Sequence, residues 1–330
     1  MSSPMIAVVG ASGLVGREVI VALGNKDHPG EAIIALGTAR TEGEEIDFLE
    51  ETLPLEPVAD DAFRGVKAAV LAVPRGAAKA LGDQARKAGA WVIDVSGAWA
   101  GDATVPLVAP GVAGARSEAT GGSTVCLAHP LAQALALILS ALRSRGLTSV
   151  DATLLVGAAA WGHTGVRMLE QQTASLLSGR DPELGPFPHR LGFNIVPQVG
   201  EFIGRATGLE ELVRLQTVEL FGAGAPPMGL TAVAVPTFHG SLLTVTARFS
   251  APPPLDAVRD ALKASGELKL LDEPATGIYP MPLLATGDSK VHVGRLRVEG
   301  QALQLVAAVD LVGRTADAAA TLALTLAKRD

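Results

Sequence analysis

A short apolar run, Met5–Val9, ends in Gly10-Ala-Ser-Gly13-Leu-Val-Gly16, and the stretch from Leu14 to Leu23 then sets Val15, Val19, Ile20 and Leu23 on one side of a helix. Few local patterns narrow a fold so far. A strand that feeds a glycine-rich turn and then a helix opens a doubly wound sheet, and the glycines permit a tight turn with close backbone approach. The helix offers unbonded N–H groups and the positive end of its dipole to a pyrophosphate. On this spacing Gly10, Ala11, Ser12, Gly13, Leu14 and Val15 are candidate nucleotide-binding residues. The plain structural alternative is a strand-to-helix turn that binds nothing.

Further apolar runs continue the alternation. Ala32–Leu36, Ala68–Ala72 and Trp91–Val95 read as strands, and Ala77–Ala88 and Pro130–Ser144 as helices. Strands alternating with helices imply a parallel sheet with helices on its faces. Beyond these the texture changes. Val150–Val156, Gly229–Val235, Val291–Val298 and Gln304–Val309 read as strands, and Leu242–Phe249 alternates as a sheet with one wet face would. Helices at Val166–Leu177, Gly208–Leu220 and Leu255–Ser265 interrupt this set, and Ala316–Lys328 is a last helix. The pattern predicts an α/β chain: a Rossmann-type parallel-sheet domain plus a central α+β domain.

Charge and composition exclude several classes. Of 330 residues, 48% are hydrophobic and 18% charged, so the chain can bury two cores. A net charge of −7 without clustered Lys and Arg argues against nucleic acid. No basic amphipathic stretch suggests a membrane surface, and no run of about 18 apolar residues could span a bilayer. A single cysteine, Cys126, and no leader-like pattern at Met1–Met5 predict a cytoplasmic protein. The histidines show no metal-ligand spacing, so no metal is expected.

The end of the second strand should lie beside the adenosine ribose, where an acid favours NAD and an arginine favours NADP. The chain reads Gly37-Thr38-Ala-Arg40-Thr41-Glu42 there. Arg40 and the hydroxyls of Thr38 and Thr41 suit a 2′-phosphate, while Glu42, Glu44 and Glu45 oppose it. NADP is the expected cofactor, with Thr38 and Arg40 as further candidates. The other reading of Arg40 is a solvated loop residue.

Taken in order, further landmarks resemble the aspartate-semialdehyde dehydrogenase family. They are Gly10–Gly16, Thr38-Ala-Arg40, Val92-Ile-Asp94-Val-Ser96-Gly-Ala-Trp99 and Val105-Pro-Leu-Val-Ala-Pro110. Then come Leu169-Glu-Gln-Gln-Thr173, Phe187-Pro-His189, Phe193-Asn-Ile-Val-Pro-Gln198, Tyr279-Pro-Met-Pro282 and Val293-Gly-Arg295. The resemblance implies an NADP-binding domain over 1–129 and 312–330. It implies a dimerisation and substrate domain over 130–311, hence a homodimer. It also implies reduction of aspartyl phosphate through a cysteine thioester, with a histidine, a glutamine and two substrate arginines.

Carried over position by position, this machinery is missing. The thiol position is Pro130 in a gapless register, or Ala132 if the Ala-X-Pro triplets are matched. The glutamine falls on Val156, the arginines on Ala100 and Ala234, and the histidine on Ser241. His239 stands where the family has tyrosine, two residues early and on the same strand face. No catalytic residue is therefore assigned. Cys126 reads as a buried small hydrophobe. His129, His163 and His239 are expected near the former cleft, flanked by Trp99 and Trp161, while His28 and His189 read as structural. The expected function is an NADP-binding homologue inactive in acyl-phosphate reduction, acting alone or with an unknown protein partner. One alternative is an NADP-dependent oxidoreductase acting on a different aldehyde or carbonyl without a thioester. The other is a conventional dehydrogenase whose thiol is Cys126.

Overall fold

The computed structural model describes residues 3–112 and 124–329. They form two compact units. One takes the described residues of Met1–Pro110, Ala115–His129 and Thr315–Asp330, the other those of Gly111–Gly114 and Pro130–Arg314.

The first unit is built on strands β1 (Ile6–Val9), β2 (Ile33–Gly37), β3 (Glu45–Phe48), β4 (Glu51–Pro57), β5 (Ala68–Leu71), β6 (Trp91–Asp94), β7 (Leu107–Val108) and β8 (Thr124–Leu127). They make one sheet in the order β3-β4-β2-β1-β5-β6-β8-β7, all parallel except the edge strand β3. Strands β1, β5 and β8 are buried along their whole length, as strands covered on both faces must be. Helices α1 (Leu14–Gly24) and α2 (Arg75–Lys87) follow β1 and β5. The sequence pattern did not resolve the β3–β4 hairpin. Its alternation is present, with Ile46, Phe48, Leu53 and Leu55 buried, but acidic residues, Thr52 and two prolines, Pro54 and Pro57, fill the other positions. A charged edge strand resists pairing with other chains.

The second unit begins with α3 (Pro130–Ala141), whose residues through Leu139 are all buried. Its strands are β9 (Leu147–Val156), β10 (Phe202–Ile203), β11 (Ala206–Thr207), β12 (Met228–Ala234), β13 (Ser241–Phe249), β14 (Leu268–Leu270), β15 (Val291–Glu299) and β16 (Ala302–Val309). Its further helices are α4 (Gly162–Leu177), α5 (Gly208–Phe221), α6 (Leu255–Lys263) and the short α7 (Pro282–Ala285). The main sheet has the order β12-β9-β13-β16-β15-β14, parallel at its two edges and antiparallel within. Alternate residues of β9 and β13 are buried, and α3, α5 and α6 pack on sheet strands. The other face of β12, β9 and β13 stays open, with a basin of about 300 Å³ lined by Asp151, Thr153, Thr231, Thr244 and Thr246 among others.

The last helix, α8 (Leu311–Leu326), returns the chain to the first unit. Ala316, Ala319, Ala320, Ala323 and Leu326 join a core with Ile6, Val8, Ile20, Leu23 and Phe48. Each fully buried Leu or Ile there contributes on the order of 1.5–3 kcal/mol. Lys26 and Asp317 add an ion pair at 2.7 Å. No helix among the described residues is long and apolar enough to cross a membrane.

Candidate nucleotide site and the sheet end of the second unit

Sheet order reverses direction at β1, which lies between β2 and β5, and ligands of such sheets bind outside the carboxyl ends of the strands at that point. The glycine-rich turn sits there. Gly10 has φ of +84°, and its N–H donates to the Leu36 carbonyl at 2.8 Å. A Cβ at Gly10 would stand 2.3 Å from the Ala72 carbonyl oxygen, and one at Gly16 would stand 2.2 Å from the Gly10 oxygen. The first glycine turns the chain and the last lets α1 close onto the turn. Gly13 caps α1 without a side-chain hydrogen bond, and the first turn holds no acid. First-turn N–H groups and an uncompensated dipole end therefore meet whatever anion sits at the turn. Ser12 accepts from Arg17 Nε through its carbonyl at 3.2 Å. Ala11 is buried, while Ser12, Gly13, Leu14 and Val15 keep partial exposure. At Gly10 and Gly16 a side chain would meet the chain's own backbone, so these two glycines let the turn close and keep the start of α1 bare toward whatever binds there.

After β2, Thr38 and Arg40 are exposed at a single turn of helix, Ala39–Thr41. Arg40 forms no ion pair among the described residues. Thr41 corrects the sequence reading: its hydroxyl donates to the Thr38 carbonyl at 3.0 Å and accepts from the Thr38 N–H at 3.2 Å. It closes the turn rather than standing ready for a phosphate.

The loop after β6 is organised by Asp94, which is fully buried. One carboxylate oxygen accepts from the Ser96 N–H at 2.8 Å and the Ser96 hydroxyl at 2.6 Å, and the other from the Trp99 N–H at 3.1 Å. Trp99 is buried, and its ring closes over Gly82 of α2. A residue that sequence reasoning passed over lies here as well. Arg75 donates from Nε to the Ser96 carbonyl at 3.4 Å. The signal was its position at the start of the helix that follows β5.

In the second unit, strand register brings together three of the positions onto which the family resemblance was carried over. Val156 pairs with Ala234 across β9 and β12, and β13 runs antiparallel with Leu242 opposite Leu155, which sets Ser241 beside Val156. The Gly157 N–H donates to Ser241 Oγ at 3.3 Å. The loops that follow are joined: the N–H groups of Ala158 and Ala159 donate to the carbonyls of Thr237 and Phe238 at 2.8 and 2.9 Å. Val156, Ala234 and Ser241 are all buried. Pro130 and Ala132 occupy the first turn of α3, while Ala100 belongs to the first unit.

His239 lies in the loop Val235–Gly240, between β12 and β13, and is exposed. The expectation of a shared strand face with position 241 is thus corrected, because Gly240, at φ +73° against the Pro282 backbone, breaks the strand. His163 is exposed in the first turn of α4. His129 is enclosed closely enough that burial pushes its pKa down to about 4. Cys126 is buried in β8. Trp161 packs edge-on to Phe187, with centroids 5.1 Å apart. His189 is exposed, whereas His28 is buried with Nε2 3.3 Å from the Ala32 carbonyl. No group of three or more His, Cys, Asp or Glu suited to a metal occurs among the described residues.

Residues 5–120 match the NAD-binding domain of semialdehyde dehydrogenase, and residues 139–312 match its dimerisation domain. The chain belongs to the semialdehyde dehydrogenase family. Among relatives of this family, a USG-1 protein homolog of Pseudomonas aeruginosa is 31% identical over 92% of this chain and 90% of its own length. An aspartate-semialdehyde dehydrogenase of Synechocystis is 26% identical over 90% and 88%. Solved semialdehyde dehydrogenases share the fold closely. A probable aspartate-semialdehyde dehydrogenase from Pseudomonas aeruginosa has a TM-score of 0.91 at 28% identity, covering 99% of each chain. Aspartate semialdehyde dehydrogenase II from Vibrio cholerae, in complex with ASA, has a TM-score of 0.91 at 25% identity over 99% and 98%. The family supplies an NAD(P)-binding domain to which the turn after β1 belongs.

Proposed function

We propose that this member of the semialdehyde dehydrogenase family binds NADP but does not reduce acyl phosphates. The carrying observation is the second-unit sheet end, where register sets Val156, Ala234 and Ser241 side by side. An aliphatic group, a methyl and a hydroxyl that accepts from Gly157 can neither clamp a carboxylate in bidentate fashion nor shuttle a proton at neutral pH. Pro130 and Ala132 open α3 without a thiol, and Cys126 is buried four residues earlier in a strand. Nucleotide binding is assigned to residues 1–129 and 312–330, through Gly10, Ala11, Ser12, Gly13, Leu14 and Val15. Thr38 and Arg40 select the 2′-phosphate. The cofactor would supply hydride chemistry; the chain's own residues cradle the pyrophosphate and exclude side chains from the turn.

Residues 130–311 are assigned to dimerisation. The open face of β12, β9 and β13 is the surface we assign to a second copy, and equilibrium sedimentation showing only monomer would overturn this. A cytoplasmic location follows from the same reading. A second reading, an NADP-dependent oxidoreductase acting on another aldehyde or carbonyl, is favoured by the well-formed turn at Gly10–Gly16.

Calorimetric titration with NADPH and NADH, followed by assay of semialdehyde oxidation with NADP and phosphate, tests the proposal. Binding without turnover is expected. Turnover that Cys126→Ser abolishes would sink it, and NADPH consumption with a different carbonyl would establish the second reading.

A further inference from the structure

Arg75 opens α2 after the three-residue link Ala72-Val73-Pro74 that follows β5, with its Nε on the Ser96 carbonyl at 3.4 Å. A Cβ built on Gly97 would come within 3.0 Å of a terminal guanidinium nitrogen, so the group lies along the loop that follows β6. No carboxylate pairs with it among the described residues. The first turn of α2 contains no acid. Arg75 is exposed, and a cation at a helix N-terminus gains from an anion that meets both the guanidinium and the positive end of the helix dipole.

We propose that Arg75 is a second cation of the nucleotide site, meeting the phosphate on the nicotinamide side of a dinucleotide's pyrophosphate. The inference rests on the dinucleotide-binding reading above. Strand order places it. Arg40 follows β2, the glycine turn follows β1 and Arg75 follows β5. Two strand steps separate β2 from β5, about 10 Å at roughly 4.8 Å per step. A dinucleotide lies across the strand ends with its pyrophosphate on the turn after β1, so its halves reach opposite sides of that turn. Arg40 stands on the adenosine side and Arg75 on the other. With Nε anchored on Ser96, the terminal nitrogens keep the planar fork that suits phosphate oxygens.

Calorimetry with NADPH, NADH, ADP-ribose and 2′,5′-ADP on the full chain separates the two arginines. Arg75→Gln should weaken NADPH, NADH and ADP-ribose by about tenfold each, the scale of one charge-assisted hydrogen bond. It should leave 2′,5′-ADP unchanged, because that ligand lacks the nicotinamide-side phosphate. Arg75→Lys should recover part of the loss. Arg40→Gln should instead weaken NADPH and 2′,5′-ADP while sparing NADH. If Arg75→Gln leaves all four affinities unchanged, or weakens 2′,5′-ADP as much as the rest, the role assigned to Arg75 is wrong while the nucleotide site stands. A wild-type chain that binds none of the four removes the dinucleotide reading itself, and this inference with it.

Discussion

Gly10 and Gly16 are positions where one methyl group meets backbone rather than a flexible side chain. At Gly10 the clash with the Ala72 oxygen adds to the strain of a positive φ, so Gly10→Ala should cost about 1–3 kcal/mol and abolish nucleotide binding. Urea denaturation and NADPH titration of that variant measure both effects. Asp94 offers a contrast. Its landmark sequence, Asp94-Val-Ser96-Gly-Ala-Trp99, was legible as a family signature but not as physics. The structure gives the reason: a buried carboxylate ties the Ser96 and Trp99 amides into one loop. Asp94→Ala should leave those amides without their acceptor and cost about 3 kcal/mol, read from the shift of the urea midpoint. Gln172, quoted only as part of Leu169–Thr173, does similar work. Its Oε1 accepts from the Leu191 and Gly192 N–H groups at 2.9 and 2.8 Å, and its Nε2 donates to the Glu183 carbonyl at 2.9 Å. Residue type and spacing announce that such a side chain is fixed, but its partners lie as many as 20 residues away in the chain and periodicity does not encode them.

Among the elements, α5 shows how one side chain links two of them. Glu210 in its first turn accepts from the Thr207 N–H at 2.6 Å and, through its other oxygen, from the Ala232 N–H of β12 at 2.7 Å. Glu210→Ala would remove a helix cap and strand a buried amide, a loss of about 2 kcal/mol, with Glu210→Gln losing less. Thermal unfolding of the pair of variants checks the order. The long strands β9 and β13 were legible because each keeps one period over nine or more residues. The β3–β4 hairpin was not, because strands of four and seven residues with charged outward positions resemble a loop. His239 failed for a related reason. A residue count along an assumed strand passes straight through Gly240, where the backbone turns.

For the whole molecule, acid is the informative perturbation. Burial lowers the pKa of His129 to about 4 and that of His28 in the same direction, the latter partly offset by the Ala32 carbonyl. The unfolded chain holds protons on these histidines up to about pH 6.5, where the folded chain does not. Stability should therefore fall as pH drops from about 6.5 toward 4, by about 2 kcal/mol near pH 4.5 from His129. Asp288 acts only lower: burial opposes its ionisation, but hydrogen bonds from Lys269 and His292 hold its pKa at about 2, so its contribution is lost below about pH 4. Urea midpoints at about pH 7 and pH 4.5 give the slope, which His129→Asn should flatten. The division of the chain has a further consequence, in time rather than in energy. The second unit is nearly one continuous stretch, Pro130–Arg314, whereas the first needs Ala316 to Leu326 against the core formed around Ile6 and Ile20. During synthesis at roughly 5–20 residues per second, domains form as their residues emerge. The nucleotide-binding unit is started first on the ribosome and completed only after the second unit has left it.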